Sequence, residues 1–277
     1  MVRRILFISF FFCLTNSYSQ GFKTAFEMGF FGGGCYYIGD INPDKHFIYS
    51  KPAFGAIVRY NLTKRYSMRF TATYGNVYGN DADSDDQFQV QRNLNFKSKI
   101  MEFAFGMEVD FFNYNINNMK DPITPYFFYE IAFTQINPTA EYNGEEYTLQ
   151  NLGTEGQGTS LSDKKPYQLN QLTIPLGIGL KFNLRPRLAM SIEYGIRKTF
   201  TDYIDDVSGN YVDPDLLRAY NGSLAADLSD PSLGGSQFSN AGFNRGNSSN
   251  KDWYAFYGVM ITFKPFKENV CSMRGWK

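Results

Sequence analysis

The chain has 277 residues, and its 27 basic and 27 acidic side chains give a formal charge of zero, so electrostatic function must come from where charges lie. Its single histidine excludes a site built from several histidines, and no stretch is apolar enough for a helical membrane span. An 18% aromatic content with a mildly polar mean hydropathy of -0.36 is typical of a membrane β-barrel, in which only alternate residues face lipid.

The first residues predict an export signal. Arg3 and Arg4 precede an apolar stretch over residues 5–14, and Ser17 and Ser19 occupy the small-residue positions before a cleavage site. The apolar stretch is shorter than the roughly 20 residues that a membrane helix needs. We therefore predict a signal peptide over 1–19, a barrel over 20–264 and a C-terminal tail over 265–277.

Eight later segments alternate between two unlike faces, which is the period of a β-strand. In the seventh, for example, Leu188, Met190 and Ile192 share one face, and Ser191 and Glu193 lie on the other. The predicted strands are 24–38, 52–62, 66–78, 101–111, 124–136, 172–183, 188–197 and 253–263.

The second face of these strands carries glycines and both signs of charge: Glu27, Arg59, Arg69, Glu102, Glu108, Asp110, Glu130, Lys181, Glu193 and Arg197. Such a face would be prohibitive in a sandwich core or a lipocalin cavity, because unpaired buried charge is costly. In a narrow membrane barrel these groups can pair with one another, and small residues fit the tight lumen. The predicted fold is all-β: an eight-stranded antiparallel transmembrane β-barrel.

The connections between the predicted strands alternate in length. Those near 63–64, 113–121 and 185–186 are short, whereas those over 39–51, 79–93, 137–167 and 201–251 are longer. Outer-membrane barrels have short periplasmic turns and long external loops. We therefore predict a location in the outer membrane with both termini in the periplasm. At eight strands the interior is filled by side chains, which disfavours a pore.

Acidic and basic residues are distributed unequally between the external loops and the periplasmic side. Of the 27 acidic residues, 19 lie in the external loops, while basic residues collect on the periplasmic side. Lys64, Arg65, Arg185 and Arg187 belong to this basic side. They are interpreted either as anchors near phospholipid head groups or as a docking surface for an acidic periplasmic partner.

Sites for chemistry are weakly indicated. His46 lies near Asp44 and Ser50, but sequence neighbours in one loop are poor evidence for a triad. Cys35 and Cys271 are predicted to lie on opposite sides of the membrane and to be unpaired. We expect no enzyme activity, no cofactor, no catalytic or metal site, and neither nucleic acid nor a small-molecule substrate as a partner.

Three external segments carry recognisable patterns. Asp81, Asp83 and Asp85 begin like a calcium loop but lack its glycine and glutamate, so a solvated acidic loop is predicted, with weak divalent binding as the alternative. Residues 142–147 predict the turn of a hairpin above the membrane. Residues 222–250, rich in Gly, Ser and Asn, predict a mobile loop.

The densest cluster, residues 199–211, leaves the seventh strand just above Arg197. The structural interpretation is a rim turn in which Arg197 pairs with Asp202, Asp205 or Asp206 to seal the lumen. A binding role would require these carboxylates to face outward.

The segment RKTFTDYIDDVSGNYVD over 197–213, together with FFGGGCYYIGDINP over 30–43, resembles the PorG family of Bacteroidetes outer-membrane proteins. IPLGIGLKFNL over 174–184 and YGVMITF over 257–263 extend the resemblance across most of the chain after the signal. The resemblance implies a barrel of the type IX secretion system that connects the outer membrane to a periplasmic ring of PorK and PorN.

Three functions are therefore weighed. The first is a non-enzymatic component of the type IX secretion machinery, with outer-membrane lipid and periplasmic ring proteins as partners. The second is a small adhesion or envelope-integrity barrel acting through its external loops. A lipid-modifying enzyme using His46 is the third hypothesis.

Overall fold

The computed structural model of the chain describes residues 25–232 and 239–265, so the predicted signal peptide, Cys271 and all but the first residue of the predicted tail lie outside it. The strands of the described residues are β1 Ala25–Ile38, β2 Lys51–Asn61, β3 Tyr66–Asn80, β4 Asn95–Asp110, β5 Ile123–Tyr142, β6 Glu145–Thr148, β7 Asn170–Arg185, β8 Leu188–Thr199 and β9 Trp253–Phe263. The helices are α1 Gln87–Arg92, α2 Leu149–Leu152, α3 Pro214–Asn221 and α4 Ser223–Ser229, and a 3-10 turn covers Asp81–Asp83.

Eight of these strands close into an antiparallel barrel. Each pairs with its neighbour along the chain, β5 pairs with β7, and the pairing of β1 with β9 closes the sheet on itself. The short β6 pairs with the far end of β5 only, beyond the barrel. A closed barrel leaves no unpaired edge, which is the condition for strands to cross lipid. The predicted fold class and strand count are confirmed.

The outer face of the barrel is apolar. Outward side chains such as Phe105, Ile131 and Ile178 are largely exposed, as the alternation predicts. Water-soluble proteins rarely expose a continuous apolar belt of this kind. The barrel strands run from 11 to 20 residues, enough for the roughly 10 residues that a tilted strand needs to span a bilayer. The belt therefore faces lipid. No described helix is long and apolar enough to cross a membrane.

The ten predicted lumen charges are all buried. Inside the lumen Arg69 lies 2.9 Å from Glu193 and 3.2 Å from Glu130. Arg59 likewise lies 3.0 Å from Glu108, and Lys181 contacts both Glu108 and Asp110. Because these ions come from strands on different sides of the barrel, their pairing fills the lumen and confirms the predicted mixed-charge interior.

Glycines on the inner face provide the room for large lumen side chains. A Cβ at Gly177 would lie 2.4 Å from the Phe128 ring, and one at Gly179 would lie 2.3 Å from the Tyr126 ring. A gap beside Arg69 holds only about 10 Å³, which is no more than one water needs. The lumen is therefore packed.

The two ends of the barrel are called here the loop end, which carries loops 39–50, 81–94, 143–169 and 200–252, and the turn end, which carries turns 62–65, 111–122 and 186–187. The predicted hairpin at the loop end is confirmed. Tyr142 pairs with Glu145 across Asn143 and Gly144, whose φ angles of 54° and 83° are those of a two-residue primed turn.

The turn end is closed by segment 111–122, which folds under the lumen. Tyr114 and Ile116 are buried there against Ala189. The Tyr114 amide donates to the Lys64 carbonyl (2.9 Å), and the Ile116 carbonyl accepts from the Arg187 amide (3.1 Å). The segment thus touches the β2–β3 turn on one side and the β7–β8 turn on the other.

Candidate functional site: the loop-end cap and the turn-end surface

The loop after β8 folds down into the barrel mouth. Ile204 and Val207 of this loop are fully buried in the same apolar cluster as Tyr37 and Phe96 of the inner wall. Burying side chains of this size stabilises by about 1.5–3 kcal/mol each. The sequence analysis considered only the acidic residues of this loop. In the structure, the apolar side chains of Ile204 and Val207 anchor the loop in the barrel mouth.

The rim carboxylates face inward. The Tyr37 hydroxyl donates to Asp205 and also to Asp252 (3.2 Å), and the Ile204 amide donates to Asp252 (2.8 Å). Burial raises the pKa of the Asp205 and Asp252 carboxyls well above their usual range. Asp202 and Asp206 are buried as well, so these carboxylates do not face outward as a binding role would require.

The predicted partner of these carboxylates is wrong. Arg197 points into the lumen, where its Nη2 lies 3.2 Å from Glu102 and its guanidinium stacks 4.7 Å over the Phe256 ring. Residue 197 still belongs to β8 and alternates inward, so its side chain extends below the rim rather than up to it. Sequence proximity to the carboxylates therefore did not produce a contact.

Arg245 makes the ion pairs expected of Arg197. It is buried, and its guanidinium lies 3.2 Å from Glu155 and 3.6 Å from Asp206. Asp206 also accepts from the hydroxyls of Thr154 and Tyr167. Burial raises the pKa of Asp206 to about 6, although the nearby Arg245 charge opposes the rise.

Helix α1 places a second buried arginine in the cap. The Asp86 side chain accepts from the Phe88 amide (2.9 Å) and caps the helix N-terminus, and Asn93 ends the helix in the left-handed conformation. The Arg92 guanidinium donates two hydrogen bonds, of 2.7 and 2.8 Å, to the Asp81 carboxylate.

The buried ion pair corrects the prediction for the acidic loop. Asp81 is fully buried and bound to Arg92, rather than solvated as predicted. Asp83 accepts from Tyr49, and Asp85 pairs with Lys45 at 2.6 Å. Among the described residues no group of three or more Asp, Glu, His or Cys side chains is placed to hold a metal ion.

One residue from each loop joins a continuous chain of contacts across the cap. Arg92 donates to the carbonyls of Asp40 (2.9 Å) and Arg245 (2.8 Å), and Arg245 in turn pairs with Glu155. The four loops therefore form one folded unit, called here the cap. The predicted mobile loop over 222–250 is wrong in part, since it contains α4 and the buried Arg245.

The outer surface of the cap carries a cleft. It has a volume of about 820 Å³ and lies between α1 and loop 200–252. Phe88 and Phe243 line it and are 57% and 68% exposed. Gln89 and Asn244 add amide groups to its lining. Sequence reasoning did not identify these residues, since their approach depends on how two loops pack.

The four basic residues predicted for docking all lie at the turn end but differ in their contacts. Arg65 donates to the carbonyls of Asp110 (3.1 Å) and Phe111 (2.9 Å), and Arg187 donates to that of Lys264 (2.7 Å). The side chains of Lys64 and Arg185 are exposed and make no hydrogen bond or ion pair with other described residues. Only these two leave their full charge to solvent.

The remaining predicted groups lie apart from these surfaces. His46 is exposed, and its Nδ1 lies 2.9 Å from the Tyr36 hydroxyl rather than beside Asp44 or Ser50. Cys35 is a free thiol buried in the lumen, where it donates to the Asn76 carbonyl (3.0 Å).

A closed barrel with a lipid-facing belt, a packed ionic lumen and long loops at one end defines an outer-membrane β-barrel protein. The chain belongs to the family described as a domain of unknown function, DUF6089, whose model matches residues 3–227. No curated protein matches the chain.

Several solved outer-membrane barrels are similar to it. Neisserial surface protein A has a TM-score of 0.42 at 8% identity, covering 87% of this chain and 99% of that chain. OprG of Pseudomonas aeruginosa has a TM-score of 0.39 at 10% identity, covering 87% and 97%. Ail of Yersinia pestis has a TM-score of 0.38 at 8% identity, covering 87% and 96%.

Proposed function

We propose that this protein is a non-enzymatic component of the type IX protein secretion machinery, which links the outer membrane to a periplasmic ring of PorK-like and PorN-like proteins. In this proposal the turn end lies in the periplasm and is the docking surface. The resemblance of segments 30–43 and 197–213 to the PorG family supports the assignment, and the geometry of the turn end supports the mode of action.

The single observation that carries the proposal is the closed turn end. Segment 111–122 blocks the mouth, and the lumen above it is packed with ion pairs, so the barrel offers no path for cargo. A protein that contributes to transport without a conduit must act through its surfaces. At the turn end, the exposed positive charges of Lys64 and Arg185 lie on or beside short turns that are held by hydrogen bonds.

The exposed charges are spread around the rim. Lys64 lies on the β2–β3 turn and Arg185 at the end of β7, and these positions are half the barrel circumference apart in the strand order. A small acidic peptide would meet one of them, whereas a broad acidic face would meet both. A folded protein subunit can present such a face, and opposite charges speed and orient such an encounter.

The test is the double variant Lys64→Glu with Arg185→Glu. Both side chains are exposed, so we expect a folded barrel that no longer co-purifies with ring proteins from outer membranes. The matched control is Lys99→Glu with Lys165→Glu, which makes the same change of charge at exposed positions of β4 and of loop 143–169, away from the turn end. An unchanged pull-down from the turn-end variant would refute the docking role.

Arg65 and Arg187 are left out of this variant for a structural reason. Each holds backbone carbonyls at the turn end, so a glutamate there would disturb the fold and the docking surface together. If such a variant failed to co-purify with ring proteins, the result would not show that Arg65 or Arg187 contacts them directly.

A second candidate is an adhesion or envelope-integrity barrel acting through the cap. The observation in its favour is the cleft of about 820 Å³ with two exposed phenylalanines beyond the lipid-facing belt. Exposed aromatic rings beside a cleft are typical of binding surfaces. Phe88→Ser with Phe243→Ser should abolish surface attachment and leave secretion intact under this candidate. Under the first proposal neither measurement should change.

The non-enzymatic part of the proposal has its own test. His46→Ala removes the only imidazole of the chain. We expect an unchanged lipid A profile by mass spectrometry, and an altered profile would favour the lipid-modifying hypothesis instead.

A further inference from the structure

A groove of about 600 Å³ lies on the outside of the barrel at the turn end. Its lining combines apolar side chains with charges of both signs: Phe111, Phe112, Ile123, Arg65, Lys120 and Asp121. All of these belong to the β2–β3 turn, segment 111–122 and the first residue of β5. The groove was not indicated by the sequence, since two separate stretches of chain, the β2–β3 turn and residues 111–123, form it.

The position of the groove relative to lipid follows from the strand pattern. Asp110 ends β4 pointing into the lumen, so Phe111 points outward, and Ile123 begins β5 on the same outer face. Phe111 is 58% and Ile123 is 49% exposed. These two side chains form the last apolar row of the lipid-facing belt. The groove therefore opens where acyl chains meet head groups.

The cations of the groove are suited to a phosphate. The Arg65 guanidinium is fixed by the carbonyls of Asp110 and Phe111, which use its Nε and Nη2 and leave Nη1 free to donate. A guanidinium held in place loses little freedom on binding a phosphate oxygen, and such charge-assisted bonds are strong. Lys120 is exposed and lines the same groove, so it provides a second cation.

The carboxylate in the same groove restricts the ligand further. Asp121 accepts through Oδ2 from the Asn118 amide (3.1 Å), and Oδ1 remains available. A head group with a second negative charge would be repelled by this carboxylate. A head group with an ammonium would instead be attracted, and an ammonium with N–H bonds can also donate to it. Choline has no such donor.

We propose that this groove binds one glycerophospholipid of the phosphatidylethanolamine type. The phosphate lies between Arg65 and Lys120, the ammonium meets Asp121, and an acyl chain packs on Phe111 and Ile123. In the envelope this places the lipid in the periplasmic leaflet, a step that rests on the orientation proposed above. The binding itself does not depend on that orientation, and the docking proposal uses Lys64 and Arg185 instead.

Native mass spectrometry of the whole protein released from nanodiscs tests the proposal. The nanodiscs contain phosphatidylcholine with a minor share of either phosphatidylethanolamine or phosphatidylglycerol of the same chains. We expect one retained lipid, with ethanolamine preferred over glycerol and glycerol over choline. Arg65→Gln should reduce retention of both minor lipids about tenfold, the effect of losing one charge-assisted contact.

Asp121→Asn separates the two halves of the site. It should leave phosphate binding intact and abolish the preference for ethanolamine over glycerol. The matched control is Lys64→Gln, a neighbouring exposed cation that does not line the groove, and it should change neither quantity. Arg65→Gln also has a folding control, the heat-dependent gel mobility of the barrel. Because Arg65 also holds the carbonyls of Asp110 and Phe111, Lys120→Gln is the second variant, and it should lower retention of both minor lipids as well.

Two results would overturn the proposal. One is equal lipid retention in the wild type and a folded Arg65→Gln variant. The other is full displacement of the lipid by soluble glycerophosphoethanolamine at the same concentration, because that would assign the groove to a free head group rather than to a lipid. We expect the soluble compound to leave the lipid bound, since it lacks the chains that pack on Phe111 and Ile123.

Discussion

At the loop end several charged side chains turn inward and bind one another, whereas at the turn end Lys64, Lys120 and Arg185 remain on the surface. Arg92 and Arg245 are buried in the cap, each with a carboxylate partner within hydrogen-bond distance. At the other end, Lys64 and Arg185 keep their charge in solvent, and the mouth is closed by the small Tyr114–Ile116 cluster. Both ends are sealed, but by different means.

The difference shows which charges are available to a partner. A buried, paired arginine holds loops together and has no donors left for another molecule. An exposed lysine on a short turn contributes little to folding and can meet an acidic surface. Charged residues are most frequent in the loop-end sequence, yet the two buried arginines there are already bound within the cap, whereas Lys64 and Arg185 at the turn end are exposed.

The largest expected effect comes from breaking the cap. Arg245→Ala leaves Glu155 and Asp206 buried without their cation, and loss of one partner from a buried ion pair costs about 3–5 kcal/mol. We expect rapid protease cleavage within 200–252 while the barrel keeps its heat-dependent gel mobility. Arg218→Ala is the control, because its pair with Asp227 is half exposed and worth about 0–1 kcal/mol. Equal protease resistance of the two variants would contradict this account of the cap.

A medium effect is expected from pH. Burial raises the pKa of Asp202 to about 6, with a further rise from the negative charge of Asp40, and burial likewise raises the pKa of Asp206 to about 6. Both folded-state values exceed the unfolded value near 3.9, so the folded cap binds these protons more tightly. The contribution of these two groups to cap stability should therefore be greatest below about pH 4, fall by up to roughly 1.4 kcal/mol per pH unit for each group, and level off above about pH 6. Asp205 and Asp252, whose pKa values burial raises well above the usual range, should extend the decline in stability to higher pH.

Hydrogen exchange of the cap amides between pH 4 and pH 7, corrected for intrinsic rates, measures this dependence. Asp202→Asn should slow hydrogen exchange of the cap's backbone amides at pH 7 and reduce the dependence of cap stability on pH. The reason is that the asparagine side chain never carries the buried negative charge. Asp215→Asn is the control, since the Asp215 side chain is 94% exposed. A slope of the opposite sign would show that the carboxylates are favoured in their charged form.

The smallest effect belongs to the turn end. Lys64→Ala and Arg185→Ala should change the free energy of unfolding by no more than about 0.5 kcal/mol, as exposed substitutions usually do. Arg187→Ala should cost more, about 1–2 kcal/mol, because it removes hydrogen bonds to the carbonyls of Lys264 and Pro265. Urea unfolding in lipid vesicles followed by tryptophan fluorescence would order the three variants. A large loss from Lys64→Ala would remove the contrast between the two ends.

Much of the barrel could be predicted because strand faces alternate with a period of two. The ninth strand, β9, begins and ends at the predicted residues, and β4 and β5 run further into the loop end than predicted. Their extensions over 95–100 and 137–142 alternate less clearly in hydropathy. Burial there depends on the cap that covers them, which no local pattern shows.

The candidate site was predicted only in part. The rim carboxylates were assigned correctly to the interior, but the arginine that pairs with Asp206 is 39 residues away, and its pairing with Glu155 spans 90 residues. Arg197 was favoured because it is close in sequence, and its strand parity sends it to Glu102 instead. The turn-end groove and the cap cleft each need several segments to meet.

By itself the sequence determined the faces of the strands, the set of lumen charges and the alternation of short and long connections, since these follow from local residue order and the geometry of the extended chain. Only the tertiary structure decided which charges pair. Arg69 meets Glu193 across the lumen although 124 residues separate them. Ion pairing depends on which groups converge in space, and closure of the barrel and folding of the cap create that convergence.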